Sequence, residues 1–331
     1  MNQFFMKIKL LMLFTTLTIT SQSFSAPLNT QILEAHPNQI TKQQNTDVKR
    51  VNTENFLLQR KGAGKNNVMQ GIALDMPNTL LYTSHAVTKK PETVAINQFK
   101  FQNAHVWQAQ SAQKPSPLIG HQGISVDPST GLLLASAGSA VENRGWHIVQ
   151  FKYAANQLPI NPRTIKVFGD GYSKSTNSMP IVSPDAQYLL VRSNKNKQNV
   201  VRVFKLEQLS KTTQNDLSNQ YLYEWKVDSE LTQDNYPLQA MTTDGQYVYF
   251  MSGRSNPDQP KRIFVYTLKG KLIQKVKQVL IGQQYAALMS QSEYWEPEGL
   301  SYNPTTKQLY ILFAVGDHGK RLGLVYKLNL S

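Results

Sequence analysis

The sequence has 331 residues, with 35 Lys and Arg against 21 Asp and Glu, a formal charge of +14 and no cysteine. The lack of cysteine excludes disulfides, thiol nucleophiles, iron–sulfur clusters and thiolate zinc sites, and a chain of this length buries enough core to fold without staples. The positive balance favours anionic partners such as phosphate-bearing polymers, acidic glycans, membrane surfaces or nucleic acid, while lysines scattered in turns such as Asn194–Lys197 and Lys269–Lys271 also serve plain solubility.

Lys7 and Lys9 precede the uncharged run Leu10–Thr20, which leads to Ser23-Phe24-Ser25-Ala26. A basic start, an apolar run and small residues are what a secretory signal needs, so residues 1–25 are read as one, cleaved after Ser25 or Ala26. The run is 11 residues with four threonines, short of the roughly 18 that a spanning helix requires. The expected product is secreted or periplasmic, without stable membrane insertion. Its charge is about +12, from 14 − 2 with Lys7 and Lys9 gone. Residues 26–53, rich in Gln, Asn and Thr, read as a flexible leader or an extended segment along the domain, and 54–331 as one folded domain.

From Asn55 onward, short β-branched and aromatic runs alternate with Gly, Pro, Asn and Asp, the pattern of an all-β fold. Helical periodicity is confined to Glu207–Ser210 and Tyr285–Ser290. Five segments superimpose: Gln70–Asp75 leading to Leu80–Ser84, Gln122–Asp127 to Leu132–Ser136, Met179–Asp185 to Tyr188–Arg192, Gln239–Asp244 to Tyr247–Met251, and Glu298–Asn303 to Leu309–Phe313. Their starts lie 52, 57, 60 and 59 residues apart, the mark of a repeat fold. A third amphipathic strand follows each pair, for example Trp146–Phe151 and Arg262–Tyr266, and a fourth such as Thr164–Phe168 or Lys271–Gln274 completes the unit. Repeated four-stranded antiparallel units are propeller blades, so a five-bladed β-propeller is predicted. The chain ends after the third strand of repeat five. Asn55–Gln59 is therefore expected to pair with Leu322–Leu328 and close the ring.

Residues heading the first strands converge on the axis of such a ring: Gln70, Gln122, Gln239 and Glu298, with Met179 breaking the set. They are suited to hydroxyl-rich ligands, water or a hard cation, or else they bond exposed backbone and seal the axis. The last repeat carries Trp295, Glu296 and Glu298, then Asp317 and His318. Two carboxylates beside an aromatic ring could bind a sugar, coordinate calcium or act as an acid–base pair. His85 and His121 are placed to reach the channel rim. Arg144, Arg192 and Arg254 follow equivalent second strands and could form an anion-binding rim or stay solvated. The histidines form no zinc motif, and no P-loop, dinucleotide fingerprint, G-x-S-x-G or EF-hand loop is present.

The Gln-Gly-Ile repeat heads and the closing Trp295–Leu300 with the later Leu309–Ala314 strand resemble the five-bladed propellers of the helveticin J type, found among large secreted bacteriocins and related envelope-polymer or phage receptor-binding proteins. The likeness covers roughly residues 55 to 331. It implies an extracellular, glycan-directed binding or antagonistic role, with Gln70, Gln122, Gln239 and Glu298 facing the channel. The expected partner is an envelope glycan or other anionic polymer, and nucleic acid is not expected. The competing expectation is a metal-assisted hydrolase or lyase on sugar or phosphate esters, using Glu296, Glu298, Asp317 and His318.

Overall fold

A computed structural model of the chain describes residues 31–32, 49–50, 54–211 and 215–330. The expected signal segment, residues 1–25, lies outside the described residues, as does the expected leader apart from Gln31–Ile32 and Lys49–Arg50, which pair antiparallel.

Five sheets form a ring, all antiparallel except for one added strand in blade 5. Blade 1 comprises Gly71–Asp75, Leu80–Lys89, Glu92–Lys100 and Ser111–Ala112. Blade 2 comprises Ile119–Val126, Leu133–Ala137, His147–Lys152 and Ile160–Lys166. Blade 3 comprises Met179–Val182, Tyr188–Lys195, Gln198–Lys205 and Tyr223–Lys226, and blade 4 Leu238–Thr243, Tyr247–Ser252, Lys261–Thr267 and Leu272–Val279. Blade 5 comprises Trp295–Asn303, Gln308–Val315 and Leu322–Asn329, and Glu54–Gln59 supplies its fourth strand as the repeat count requires. A fifth strand, Val106–Gln108 from the end of blade 1, runs parallel to Glu54–Gln59. The repeat pattern gave no sign of it.

The same turn chemistry shapes each blade. Between the first and second strands an Asp or Asn carboxyl or amide oxygen accepts a backbone N–H two or three residues on: Asp75 from Asn78, Asp127 from Ser129, Asp185 from Gln187, Asp244 from Gln246 and Asn303 from Thr305. Such turns reverse the chain within a few residues, so a two-residue alternation can resume at once on the second strand.

The second strands are apolar on both faces because both faces are covered. In Tyr247–Ser252, Val248 and Phe250 pack toward blade 3, whereas Tyr247, Tyr249 and Met251 pack toward blade 5. The core is accordingly divided into five wedges, one at each junction between neighbouring blades. The first strands approach closely at the axis. A Cβ on Gly299 would stand 2.8 Å from Ile72 Cγ2, and one on Gly123, whose φ is +82°, would stand 2.9 Å from Met179 Cα. This explains the glycine after the polar head residue in blades 2 and 5. Ser125 Oγ accepts from Val182 N (2.9 Å) and Ser301 Oγ from Leu74 N (3.2 Å), stitching adjacent first strands.

The two short helices, Gln208–Lys211 and Gln283–Met289, fall at the expected places. Among the described residues no helix is long and apolar enough to cross a membrane.

Candidate functional site

All five first strands start on one face of the ring, here termed the head face, and the connections between second and third strands end there too. Side chains from blades 2, 4 and 5 meet across the axis. Gln122 Nε2 donates to Gln239 Oε1 (3.5 Å), and Gln239 Nε2 donates to Glu296 Oε1 (3.1 Å). Tyr294 Oη donates to the other Glu296 oxygen. Glu298 is buried, 5% exposed. Burial first, then the charge of Glu296 and a hydrogen bond to it, hold the Glu298 carboxyl well above the ordinary carboxylate range. This favours the protonated form of Glu298, the form able to donate to Glu296, and the strand places both carboxyls on one side of Pro297, as their spacing predicts.

The surroundings of this pair are cationic but closed. Lys261 is fully buried, with Nζ 3.9 Å from the Trp295 ring centroid, and it donates to the Asn256 and Gln259 carbonyls at 2.9 Å each. Burial lowers its pKa to about 7, against the opposing attraction of Glu296. Arg321 lies 3.4 Å over the Tyr294 ring and donates to the Gly316 carbonyl.

Other expected residues divide by environment. Gln70 turns outward and accepts from Ala86 N (3.2 Å), so in blade 1 the head residue bonds backbone. Trp295 does not offer a stacking platform: its ring is fully buried among core residues beside Phe313, because it alternates with Glu296 along the strand and takes the inward position. His85 is fully buried against the Ala63 carbonyl (2.9 Å), away from any open rim, and burial followed by the nearby Arg60 charge lowers its pKa to about 3. Asp317 and His318 form the exposed tip of a loop that turns back through Lys320 N to Asp317 O (3.0 Å), and no hydrogen bond joins them to the carboxyl pair.

Each of the three arginines donates to the protein, Arg192 most completely. Arg192 is buried, with Nε and Nη2 donating to Asn199 Oδ1 and Nη1 to Asn177 O. Arg254 donates to Asn235 O (2.8 Å). Arg144 donates to Ser175 O (3.1 Å) and lies 3.6 Å from Glu92. Glu92 also pairs with His121 Nδ1 at 2.7 Å, and that bond, helped by the His121 and Arg144 charges, keeps its carboxyl below the usual range despite burial. Sequence reasoning did not single out Glu92, Lys261 or Arg321, because none stands at a repeat head. Tyr294 was visible only as the neighbour of the carboxylate motif.

Between the head face and the opposite, turn face the axis narrows to a cavity of about 10 Å³ bordered by Gly71, Gly123, Met179 and Gly299. It then widens to about 340 Å³ at the turn face, where Pro77, Pro128, Pro184, Pro304 and Tyr302 form the mouth and no charged side chain lines it. Among the described residues no three His, Cys, Asp or Glu side chains converge as a metal site would require.

Residues 68–327 match the family described as the phage five-bladed β-propeller receptor-binding platform domain. The chain belongs to this family. The propeller also resembles the tail fibre of Staphylococcus aureus phage P68, with a TM-score of 0.61 at 18% identity over 85% of this chain, and it spans 53% of that fibre's length. Weaker likenesses extend to Myxococcus xanthus glutaminyl cyclase (TM-score 0.48, 10% identity, 84% of this chain and 96% of that one) and to a glycoside hydrolase family 43 β-1,3-galactosidase (TM-score 0.49, 9% identity, 79% and 90%). No curated protein matches the sequence. The platform family fits the five blades, and it covers all the axial residues described above.

Proposed function

We propose that this chain is an exported receptor-binding propeller that recognises a cell-envelope carbohydrate or other anionic polymer, in a bacteriocin-like or phage-like recognition role of the kind that the helveticin J resemblance implies. The observation that carries this reading is membership of the receptor-binding platform family across residues 68–327. The formal charge of +14 and the leading segment with its basic and apolar regions agree with it.

The carboxyl pair supports binding better than hydrolysis. Glu296 and Glu298 stand on one side of the same strand, with the charge of Glu296 raising the Glu298 carboxyl, whereas glycosidases set their two carboxyls on either side of the bond being cleaved. A neutral acid beside a carboxylate with two glutamines offers donors and acceptors at fixed positions, which suits hydroxyl recognition.

A glycan array together with pull-down on purified envelope polymers at low salt tests the reading. Retention on at least one polymer is expected. Failure to bind any would remove it, and turnover of a sugar or phosphate ester that is lost in Glu298→Gln would replace it with the hydrolase alternative.

A further inference from the structure

The outer wall of the ring is unevenly protected. Blade 4 ends in a strand carrying Lys275 and Lys277, which are paired with Asp228 and Glu230, and blade 5 is covered by the added strand Val106–Gln108. Both are ordinary ways of blunting a sheet edge. Blades 2 and 3 also carry paired charges at their edges, Lys166 with Asp216 and Glu224 with Lys195 and Arg202, but large apolar and aromatic side chains stand exposed beside them. Leu158 and Ile160 stand exposed at the outer strand of blade 2, and Tyr221, Leu222 and Tyr223 are 39%, 40% and 37% exposed at the outer strand of blade 3. Among the described residues only Val106 and Leu288 are other large hydrophobic side chains exposed to that degree.

Cations flank the tyrosines. The Arg202 guanidinium lies 4.3 Å from the Tyr221 ring centroid and is anchored by Glu224 at 2.7 Å and by the Val167 and Ser218 carbonyls, so it props the ring from the protein side. Lys195 lies 4.8 Å from the ring of Tyr172, which Arg202 also contacts, and Lys269 lies 5.6 Å from that of Tyr223. The nearest carboxylate, Glu224, is already shared between Arg202 and Lys195.

We propose that this wall is a lateral binding surface for an anionic polysaccharide. Tyr221 and Tyr223 stack on pyranose faces, and Lys195 and Lys269 meet the phosphate or carboxylate groups of the repeat. The proposal rests on the polymer-binding reading above and assigns anion recognition to the wall. The axis is the poorer place for it, since its aromatic ring Trp295 is fully buried and its cation Lys261 is closed off against the Asn256 and Gln259 carbonyls, whereas the wall exposes its tyrosines.

The test is surface plasmon resonance of the full chain on immobilised phosphomannan, with dextran as a sugar without charge and polyphosphate as charge without sugar. Phosphomannan is expected to bind more tightly than either. Tyr221→Ala/Tyr223→Ala should weaken phosphomannan binding at least tenfold, and Lys195→Gln/Lys269→Gln should weaken it with a reduced dependence on salt, all at an unchanged melting temperature. Tyr221→Phe/Tyr223→Phe should retain binding. The wall assignment is overturned if polyphosphate binds as well as phosphomannan, or if ultracentrifugation shows that the tyrosine edge instead joins two copies of the chain. It also falls alone if the wall variants bind normally while Gln122→Ala does not. If the unaltered chain binds none of these probes and no envelope polymer, the functional reading falls with it.

Discussion

Phe56 lies directly opposite Val325 in an antiparallel ladder although the two stand near opposite ends of the sequence, and its ring stacks on Trp107 at 4.0 Å between centroids. The outer strand of blade 5 is thus held from both sides, by the C-terminal strand and by the end of blade 1. Phe56 and Leu58 are buried, and burial of such side chains contributes roughly 1.5 to 3 kcal/mol each. Deleting residues 27–60 should therefore lower stability by about 3 to 6 kcal/mol, whereas deleting 27–50 should change it by less than about 1 kcal/mol. Urea unfolding of both truncations distinguishes them. Equal midpoints would show that the ring does not depend on this strand.

Glu298 makes the axis sensitive to pH. Below the ordinary carboxylate range, about 4.3, both folded and unfolded chains hold its proton. As pH rises, the unfolded chain releases the proton while burial and Glu296 keep it on the folded one, so stability falls with rising pH through that interval. Glu298→Gln keeps a neutral donor in the same place. The variant is expected to lose less stability than the unaltered chain between pH 4 and pH 8, as measured by urea midpoints at each pH. Parallel pH dependences would mean that Glu298 ionises freely in the folded state.

The blades were legible because each repeats a local code: an Asp or Asn that accepts its own following N–H, then a continuously apolar strand. Ring closure followed from counting strands. Contacts across the axis were less legible, since they depend on how near the first strands come. Gln122 reaches Gln239 past blade 3, where Met179 is packed under Gly123. The three arginines show a second limit. Arg192 falls inside the strand Tyr188–Lys195, which continues past the point where the matching strands of blades 2 and 4 stop, at Ala137 and Ser252. Equivalent sequence positions therefore received opposite environments. Trp295 was misplaced for a simpler reason: alternation within one strand puts neighbours on opposite faces, so a tryptophan next to an axial glutamate faces the core.

Gly123 should tolerate no side chain. Its φ of +82° is one that L residues rarely adopt, and a Cβ there would meet the Met179 backbone at 2.9 Å rather than a movable side-chain tip. Gly123→Ala is expected to cost about 2 to 4 kcal/mol, combining overpacking with left-handed strain. Gly319 also has a positive φ but meets nothing within 4 Å, so Gly319→Ala should cost only about 1 to 2 kcal/mol. Thermal melts of the pair separate crowding from strain. An equal loss in both would show that the first strands can move apart at the axis.

Arg192 and Arg254 give opposite expectations from similar places in their repeats. Removing the Arg192 side chain leaves the buried Asn199 amide oxygen and the Asn177 carbonyl without their donor, and buried polar groups left unpaired cost about 1 to 3 kcal/mol each. Arg192→Ala should thus destabilise by about 2 to 4 kcal/mol. Arg254 bonds a single carbonyl at the surface, so Arg254→Ala should stay within about 0.5 to 1 kcal/mol of the unaltered chain. Stability and phosphomannan affinity measured on the same preparations decide what these residues do. If the arginines are structural, Arg192→Ala alone loses stability, and Arg254→Ala keeps both stability and affinity. A well-folded Arg254→Ala that loses affinity would instead restore the anion-binding rim on the head face.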